Sequence, residues 1–126
     1  MPYGNYKHPR LPEMAIRTMS TKLQAARITN LDFRDVLKES QTGDVLYCDP
    51  PYIAATFHYN GQSFSRNDHR ELIHLLSKSN SGCVLNNSDD SELKNLAIDN
   101  GGACFSYDFD SRIESGTTSS EMILWW

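Results

Sequence analysis

The chain has 126 residues, of which 39% are hydrophobic and 22% are charged, and this excludes two complete domains as well as a disordered or collagen-like chain. The net charge of −4 is uneven, because residues 1–42 carry seven Lys and Arg against four Asp and Glu, whereas residues 43–126 carry five against twelve. Any phosphate-binding surface is therefore expected in the first third. The sequence has neither an apolar run long enough for a membrane span nor a signal-peptide pattern, so a cytoplasmic protein without membrane contact is expected.

Prolines and apolar spacing divide the first part of the chain into short elements. The prolines indicate a loop over residues 1–12, and apolar residues at helical spacing predict a helix over 13–24. A short strand is predicted over 25–29, followed by a short amphipathic helix that begins near residue 33 and ends before Gly43. Residues 44–48 are rich in β-forming side chains and predict a buried strand.

The second part predicts two further helices and three strands. Ser65, with Asp68 three residues later, predicts the capped start of a helix. A strand over residues 82–85 leads into a polar run over 86–90, which caps a helix that ends at Gly101. The remaining two strands are predicted over residues 103–109 and 121–126, paired antiparallel across a turn at Gly116. This order of elements predicts an α/β domain.

The cysteines and histidines do not indicate a metal site. Cys48, Cys83 and Cys104 lie far apart without a CxxC pair, which favours small buried hydrophobes over a disulfide framework or a zinc site. His58, His69 and His74 are spaced too irregularly for metal ligation, so they are expected on the surface or on helix faces.

Two polar clusters follow predicted strands, at residues 49–52 and 86–90. Ligands of open α/β sheets bind at the carboxyl ends of the strands, so both clusters are candidate sites. Asp49 and the carbonyl of Pro50 offer two adjacent acceptors that suit an exocyclic amino group, and Tyr52 suits stacking on the ring that carries it. An ordinary turn remains the alternative for the first cluster, and helix capping is the favoured reading of the second.

The chain contains a D-P-P-Y motif and a series of further segments in a characteristic order. They are Pro-Tyr-Gly-Asn-Tyr-Lys at 2–7, Asp-Phe at 32–33, Gly-Asp-Val-Leu-Tyr-Cys-Asp-Pro-Pro-Tyr at 43–52, Phe-His-Tyr at 57–59, Phe to His at 64–69, Asn-Asn-Ser-Asp at 86–89 and Glu-Met-Ile-Leu at 121–124. In these segments the chain resembles the Dam-like D12 class of DNA adenine N6-methyltransferases, over nearly its whole length. The resemblance implies the C-terminal part of a Rossmann-like fold with a terminal antiparallel β-hairpin.

The resemblance also implies a reaction and roles for individual residues. The cofactor would be S-adenosyl-L-methionine, and the substrate would be an adenine flipped out of duplex DNA. The catalytic motif would comprise Asp49, Pro50, Pro51 and Tyr52, with Asp49 and the Pro50 carbonyl binding the N6 amine and Tyr52 stacking on the base. Asp49 would also accept the proton and lie beside the cofactor.

The same resemblance implies roles for residues outside the motif. Asp32 and Phe33 correspond to the region that touches the adenosyl group. The target-base loop would contribute Phe57, Tyr59 and Phe64, although Phe64 is equally suited to pack beneath its helix. Lys7 and Arg10 are candidates for phosphate contacts, with simple solvation of the loop as the alternative.

The main departure from the family is that the glycine-rich loop for the methionine part of the cofactor is absent from these residues. We therefore interpret residues 1–24 as the tail of the target-recognition region and residues 25–126 as the catalytic half of the methyltransferase domain. The strand at 44–48 would then have a bare edge, and activity is expected to require an N-terminal complementing chain or self-association.

Other activities are compatible with a D-P-P-Y motif. N4-cytosine and ribosomal RNA guanine-N2 methyltransferases also contain it, but the segments at 2–7 and 57–69 favour the adenine class. A different kind of alternative is a catalytically inactive remnant or subunit that binds DNA or a partner.

Overall fold

The computed structural model describes residues 11–53, 64–110 and 118–126. The chain forms two compact units, residues 1–30 and 31–126. The elements of the described residues are α1 (Glu13–Gln24), α2 (Phe33–Glu39), β1 (Val45–Cys48), α3 (Arg66–Ser77), β2 (Gly82–Ser88), α4 (Ser91–Asp99), β3 (Ala103–Asp110) and β4 (Thr118–Trp125). None of the described helices is long and apolar enough to cross a membrane.

The described part of the first unit is dominated by α1, whose predicted bounds are confirmed. No side chain of α1 is buried. The predicted strand over residues 25–29 is wrong, because these residues have no strand structure. The backbone N–H groups of Ala25 and Ala26 donate instead to the carbonyls of Lys22 and Leu23, which closes the last helical turn.

The second unit contains a four-stranded mixed sheet in the order β1-β2-β4-β3. β1 and β2 are parallel, whereas β4 lies antiparallel to both β2 and β3. The predicted antiparallel pairing of the last two strands is thus confirmed, and the expected turn at Gly116 lies outside the described residues. The prediction of an α/β domain is also confirmed.

One face of this sheet forms the core together with α3 and α4. Alternate residues of β2 and β4 point to this face, as the period-two geometry of a strand requires. The buried core consists of Leu72, Ile73, Leu76, Cys83, Leu85, Leu93, Ala97, Met122 and Leu124. The apolar residues that recur at helical spacing after Ser65 therefore face the sheet. Of the three cysteines, only Cys83 is fully buried, and Cys48 and Cys104 are partly buried.

The opposite face of the sheet, here called the open face, carries exposed apolar side chains. Its exposed large apolar side chains are Val45 at 78%, Tyr47 at 67%, Phe105 at 57%, Trp125 at 42% and Phe109 at 39%. The prediction that residues 44–48 form a buried strand is therefore wrong. In the described sheet β1 is an edge strand, and its side chains on the open face are exposed because the described helices α3 and α4 pack on the opposite face.

Capping side chains fix the starts of the helices that cover the core. Ser65 and Asp68 form a complete capping box at α3, as the sequence predicts. The Asp90 carboxylate caps α4 by accepting from the N–H of Leu93 at 3.0 Å. Gly101 has a φ of 81° just after α4, a conformation that glycine adopts without steric cost.

Candidate active site

The carboxyl ends of β1 and β2 lie side by side and bring the two polar clusters together. Cys48 is paired with Leu85 in the parallel register, so residues 49–52 emerge next to Asn86. β2 continues to Ser88, three residues beyond the predicted end. Residues 86–88 are therefore part of the strand, and their side chains alternate between the two faces of the sheet.

The hydroxyl of Tyr52 is anchored on the open-face side of this edge. It donates to Oε1 of Glu121 at 3.0 Å and accepts from Nδ2 of Asn86 at 2.8 Å. Oε2 of Glu121 in turn accepts from the hydroxyl of Tyr107 at 2.5 Å. Burial, followed by the hydrogen bond to Glu121, raises the pKa of Tyr52 to about 12. The phenol is therefore neutral at physiological pH, and its ring has a defined position.

The two peptide groups that flank Tyr52 are held from the helix-covered side. Nε2 of His69 lies 3.0 Å from the carbonyl oxygen of Pro51, and Oδ1 of Asn87 accepts from the N–H of Ile53 at 3.0 Å. His69 is only 1% exposed and Asn87 is fully buried. The expectation that His69 lies on the surface or on a helix face is corrected in one respect: the face of α3 that carries it is buried against the motif.

A cavity of about 500 Å³ opens beside the first half of the motif. Asp49, Pro50 and Pro51 line it on one side, and Phe33 and Phe64 line it further along. The other lining residues are Leu31, Val36, Leu37, Val45, Leu46, Tyr47, Cys48 and Leu72. Asp49 is exposed, so its carboxylate is available to a ligand. The cavity thus combines apolar walls, three aromatic rings and one carboxylate, a composition that suits a heterocycle with polar substituents.

Asp32 and Phe33 differ in their relation to the cavity. Asp32 caps α2 by accepting from the N–H of Arg34 at 2.9 Å, and this hydrogen bond is the main cause that lowers the pKa of Asp32. It is not among the residues that line the cavity. The ring of Phe33 lies on the cavity wall, with the guanidinium of Arg34 stacked 4.3 Å from the ring centroid.

Phe64 packs beneath its helix and also faces the cavity. It directly precedes the N-cap Ser65, and its ring meets that of His69 edge-on at 4.6 Å and that of Phe33 at 5.3 Å. This is the geometry of a hydrophobic staple. The other residues predicted to contact DNA, Lys7, Arg10, Phe57 and Tyr59, lie outside the described residues.

Sequence reasoning did not assign a site role to Glu121 or His69, and it favoured helix capping for the polar cluster that contains Asn87. All three contact the motif only through long-range packing, and they lie between 16 and 72 positions from Asp49 or its neighbours in the chain. A usable signal was the alternation along β2, because adjacent polar residues at the end of a half-buried strand must face opposite sides of the sheet. For Asn87 that rule places an amide in the core, where it requires partners.

Comparison with known proteins identifies the family. Residues 1–107 match the model of the D12 class N6 adenine-specific DNA methyltransferases. The chain is 38% identical over 99 residues to the Retron Ec67 DNA adenine methylase of Escherichia coli, covering 76% of this chain and 35% of that protein. It is 36% identical over 101 residues to the DNA adenine methylase of Serratia marcescens, covering 74% of this chain and 37% of that protein.

A third relative is a type II methyltransferase. The type II methyltransferase M1.LlaDCHI of Lactococcus lactis subsp. cremoris is 36% identical over 80 residues, which cover 57% of this chain and 28% of that protein. The matches thus span about a third of the length of these relatives. The family match over residues 1–107 includes the D-P-P-Y region, beside which the cavity and the anchored tyrosine lie. The chain belongs to the D12 class N6 adenine-specific DNA methyltransferase family.

Proposed function

We propose that this chain carries the base-binding half of a DNA adenine N6-methyltransferase that uses S-adenosylmethionine. The observation that carries the proposal is the fixed placement of Asp49–Tyr52 at the carboxyl edge, with an open cavity beside Asp49 and an anchored ring at Tyr52. The family membership supports the same reading. The activity, the DNA substrate and the cofactor of the whole enzyme are all part of this proposal.

Asp49 and Pro50 would bind the N6 amine of the target adenine. An exocyclic amine is a weak nucleophile because its lone pair is delocalised into the ring. The Asp49 carboxylate and the Pro50 carbonyl are acceptors, so hydrogen bonds to them would draw electron density back onto nitrogen and orient the amine. Asp49 would then accept the proton that N6 loses. Preorganised groups of this kind contribute roughly 3–4 kcal/mol each in other enzymes.

Tyr52 would provide the stacking surface for the flipped base. Its hydroxyl is engaged by Glu121 and Asn86, so the ring does not need to be ordered when the base arrives. Base stacking on an aromatic side chain contributes about 1–3 kcal/mol. Pro51, between the acceptors and Tyr52, would restrict the backbone of the motif. Phe57, Tyr59 and Phe64 would border the base, and Lys7 and Arg10 would contact phosphates.

The cavity is a suitable partial site for the cofactor. S-adenosylmethionine would supply an electrophilic methyl group there. Phe33 on the cavity wall would face the adenine ring of the cofactor, with Asp32 at the same end of α2. Asp49 would lie near the methyl group of the cofactor. The rest of the site would come from polypeptide outside these 126 residues or from a second copy of them. The mixed sheet and the cavity support the proposal that residues 25–126 are the catalytic half of a Rossmann-like domain with a terminal hairpin. Residues 1–24 would be the tail of the recognition region, as the resemblance implies.

The proposal is tested by transfer of labelled methyl from S-adenosylmethionine to unmethylated duplex DNA. The chain is assayed alone and mixed with an N-terminal polypeptide that carries the family's glycine-rich loop. Asp49→Ala is expected to reduce transfer at least 100-fold, on the scale of roughly 10²–10³ for one preorganised group. Asp99→Ala is the matched control, because Asp99 is an exposed carboxylate at the C-terminal end of α4.

The identity of the product and the effect of the variant decide between the alternatives. N6-methyladenine that disappears with Asp49→Ala supports the proposal. N4-methylcytosine or N2-methylguanine as the sole product would replace it with one of the other D-P-P-Y activities. DNA binding that survives Asp49→Ala, with no product from any mixture, would identify an inactive binding subunit.

A further inference from the structure

Two fully buried polar side chains, His69 and Asn87, have no part in the reaction proposed above. A buried imidazole or amide is costly unless its polar atoms have partners. Both side chains find partners in the backbone on either side of Tyr52. Their location therefore suggests a role in positioning that residue.

The His69 ring connects helix α3 to the D-P-P-Y motif. Its Nε2 lies 3.0 Å from the carbonyl oxygen of Pro51, a contact across 18 positions of sequence. Its Nδ1 lies 2.9 Å from the carbonyl oxygen of Ser65, which already accepts the backbone N–H of His69 within the helix. The Ser65 contact is local to α3, so only the Nε2 contact can transmit the position of α3 to the motif.

The chemistry of the acceptor specifies which nitrogen must carry a proton. A carbonyl oxygen cannot donate, so the contact with Pro51 is a hydrogen bond only when Nε2 bears hydrogen. The amide nitrogen of Asn87 lies 3.4 Å from the same Nε2, which is too long to compete with the contact at 3.0 Å. The Asn87 amide is oriented by its Oδ1, which accepts from the N–H groups of Ile53 and Ser88.

We infer that His69 is a positioning residue, which donates from Nε2 to the Pro51 carbonyl and thereby fixes the backbone of Tyr52 for stacking on the target base. Asn87 supports the other side by accepting from the N–H of Ile53. The Tyr52 ring is thus held at three points: at the peptide before it, at the peptide after it and at its hydroxyl. This inference rests on the proposed function for the identity of the stacked base, but its structural part does not depend on catalysis.

The inference is tested with two substitutions that each retain one nitrogen of the ring. The amide nitrogen of glutamine occupies about the position of the histidine Nε2, whereas that of asparagine occupies about the position of Nδ1. His69→Gln therefore keeps a donor for Pro51, and His69→Asn keeps one only for Ser65. His74→Asn is the matched control, because His74 is an exposed histidine of the same helix.

The readout is the titration of Tyr52 followed by NMR of carbon-13-labelled tyrosine, with Tyr52→Phe to assign the signal. Release of the backbone would move the phenol away from Glu121. The pKa of Tyr52 is therefore expected to fall in His69→Asn from about 12 toward the ordinary 10.0, and to stay near the wild-type value in His69→Gln and His74→Asn. A folded His69→Asn with unchanged Tyr52 titration, or equal shifts in both His69 variants, would overturn the inference.

A second measurement needs no variant, so it tests the role of His69 even if His69→Asn fails to fold. Nitrogen-15 NMR of the imidazole in the wild-type chain reports which ring nitrogens carry protons. A proton on Nε2, alone or together with one on Nδ1, is expected. A ring that carries its only proton on Nδ1 would contradict the inference.

Methyl transfer by the completed enzyme provides the functional readout. His69→Asn is expected to lower kcat/KM between roughly 10- and 100-fold, the scale of a small misplacement in an active site, and His69→Gln should restore most of it. If wild-type transfer is absent, the proposed function fails, but the two NMR measurements still test the positioning role. If transfer is present and both variants match the wild type, the positioning role is rejected while the proposed function stands.

Discussion

Close packing of single residues is most evident at Gly102, which lies under the indole of Trp126. A Cβ atom at this position would lie 2.7 Å from Nε1 and Cε2 of Trp126 and 3.1 Å from the carbonyl oxygen of Ala97. The latter oxygen already accepts the N–H of Gly102 at 2.9 Å, so the backbone has little freedom to withdraw. A glycine is therefore required here for lack of space and not for its backbone conformation.

Gly102→Ala is expected to lower the free energy of unfolding by about 1–3 kcal/mol, the usual effect of overpacking. Gly82→Ala is the control, because a Cβ at Gly82 meets nothing within 4 Å. Removing backbone freedom from a strand residue should make that variant more stable by about 0.5 kcal/mol. Urea unfolding measures both changes, and equal stability of the two variants would contradict the packing argument.

At the residue scale, the sequence predicts the side chains of the proposed site but not the residues that support them. Asp49 and Tyr52 are recognisable because they are neighbours in a short motif. Glu121 contacts Tyr52 only because β4 lies between β2 and β3, and this strand order cannot be read from the spacing of residues. The burial of His69 likewise depends on where α3 meets the motif.

The guanidinium of Arg34 joins helices α2 and α3 through several hydrogen-bonded ion pairs. Arg34 at the start of α2 binds Asp68 at 2.6 Å and both carboxylate oxygens of Glu71, at 2.6 and 2.8 Å. Asp68 is also the acidic member of the capping box with Ser65. These ion pairs keep α2, which carries Phe33, adjacent to the capped end of α3. The cavity wall and the helix that carries His69 are therefore mechanically linked.

This linkage predicts a loss of stability in acid. The hydrogen bond from Ser65 and then that from Arg34 lower the pKa of Asp68 from 3.8 to about 2. A pKa that is lower in the folded than in the unfolded chain means that the unfolded chain binds more protons, so stability rises with pH. The contribution of Asp68 is complete above about pH 4 and is lost as the pH falls toward 2.

Asp68→Asn tests the source of this dependence. It retains an oxygen acceptor but removes the charge, so it should cost about 1 kcal/mol at pH 7, the usual contribution of a capping interaction. Chemical unfolding at a series of pH values should show a smaller slope between pH 4 and 2 than in the wild type. An unchanged slope in the variant would assign the acid sensitivity to other carboxylates.

Element types are predicted well from the sequence wherever local patterns determine them. Capping residues and apolar spacing predict α1, α3 and α4, and β-rich composition predicts β1. The wrong predictions concern segments whose structure depends on contacts with other parts of the chain. Residues 25–29 have strand-like composition, but two of their N–H groups complete a helical turn, and β2 gains three polar residues because β4 pairs with it as far as Ser88.

In the second unit, the described residues leave the open face of the sheet and the outer edge of β1 uncovered. The rings of Phe105, Tyr107 and Phe109 form a row with centroid separations of 6.2 and 6.0 Å on this face. Large contiguous patches of exposed apolar side chains commonly mark interaction surfaces. Among the described residues, β1 has no neighbouring strand on its outer side, and a free strand edge carries backbone groups that can pair with another chain. In the proposed function, the polypeptide that completes the cofactor site would also cover these two features.

The two faces of the sheet should therefore respond differently to truncation of a large side chain. Leu124→Ala, at a fully buried position, is expected to cost about 2–5 kcal/mol in the chain alone. Phe105→Ala, on the adjacent strand but 57% exposed, should change the free energy of unfolding by only about 0.5 kcal/mol and should reduce self-association in sedimentation experiments. Adding the completing polypeptide should make the complex sensitive to Phe105→Ala, because a ring buried at an interface loses its contacts on truncation. If Phe105→Ala destabilises the isolated chain as strongly as Leu124→Ala, then the open face is already covered in solution and the completing partner is not needed for that purpose.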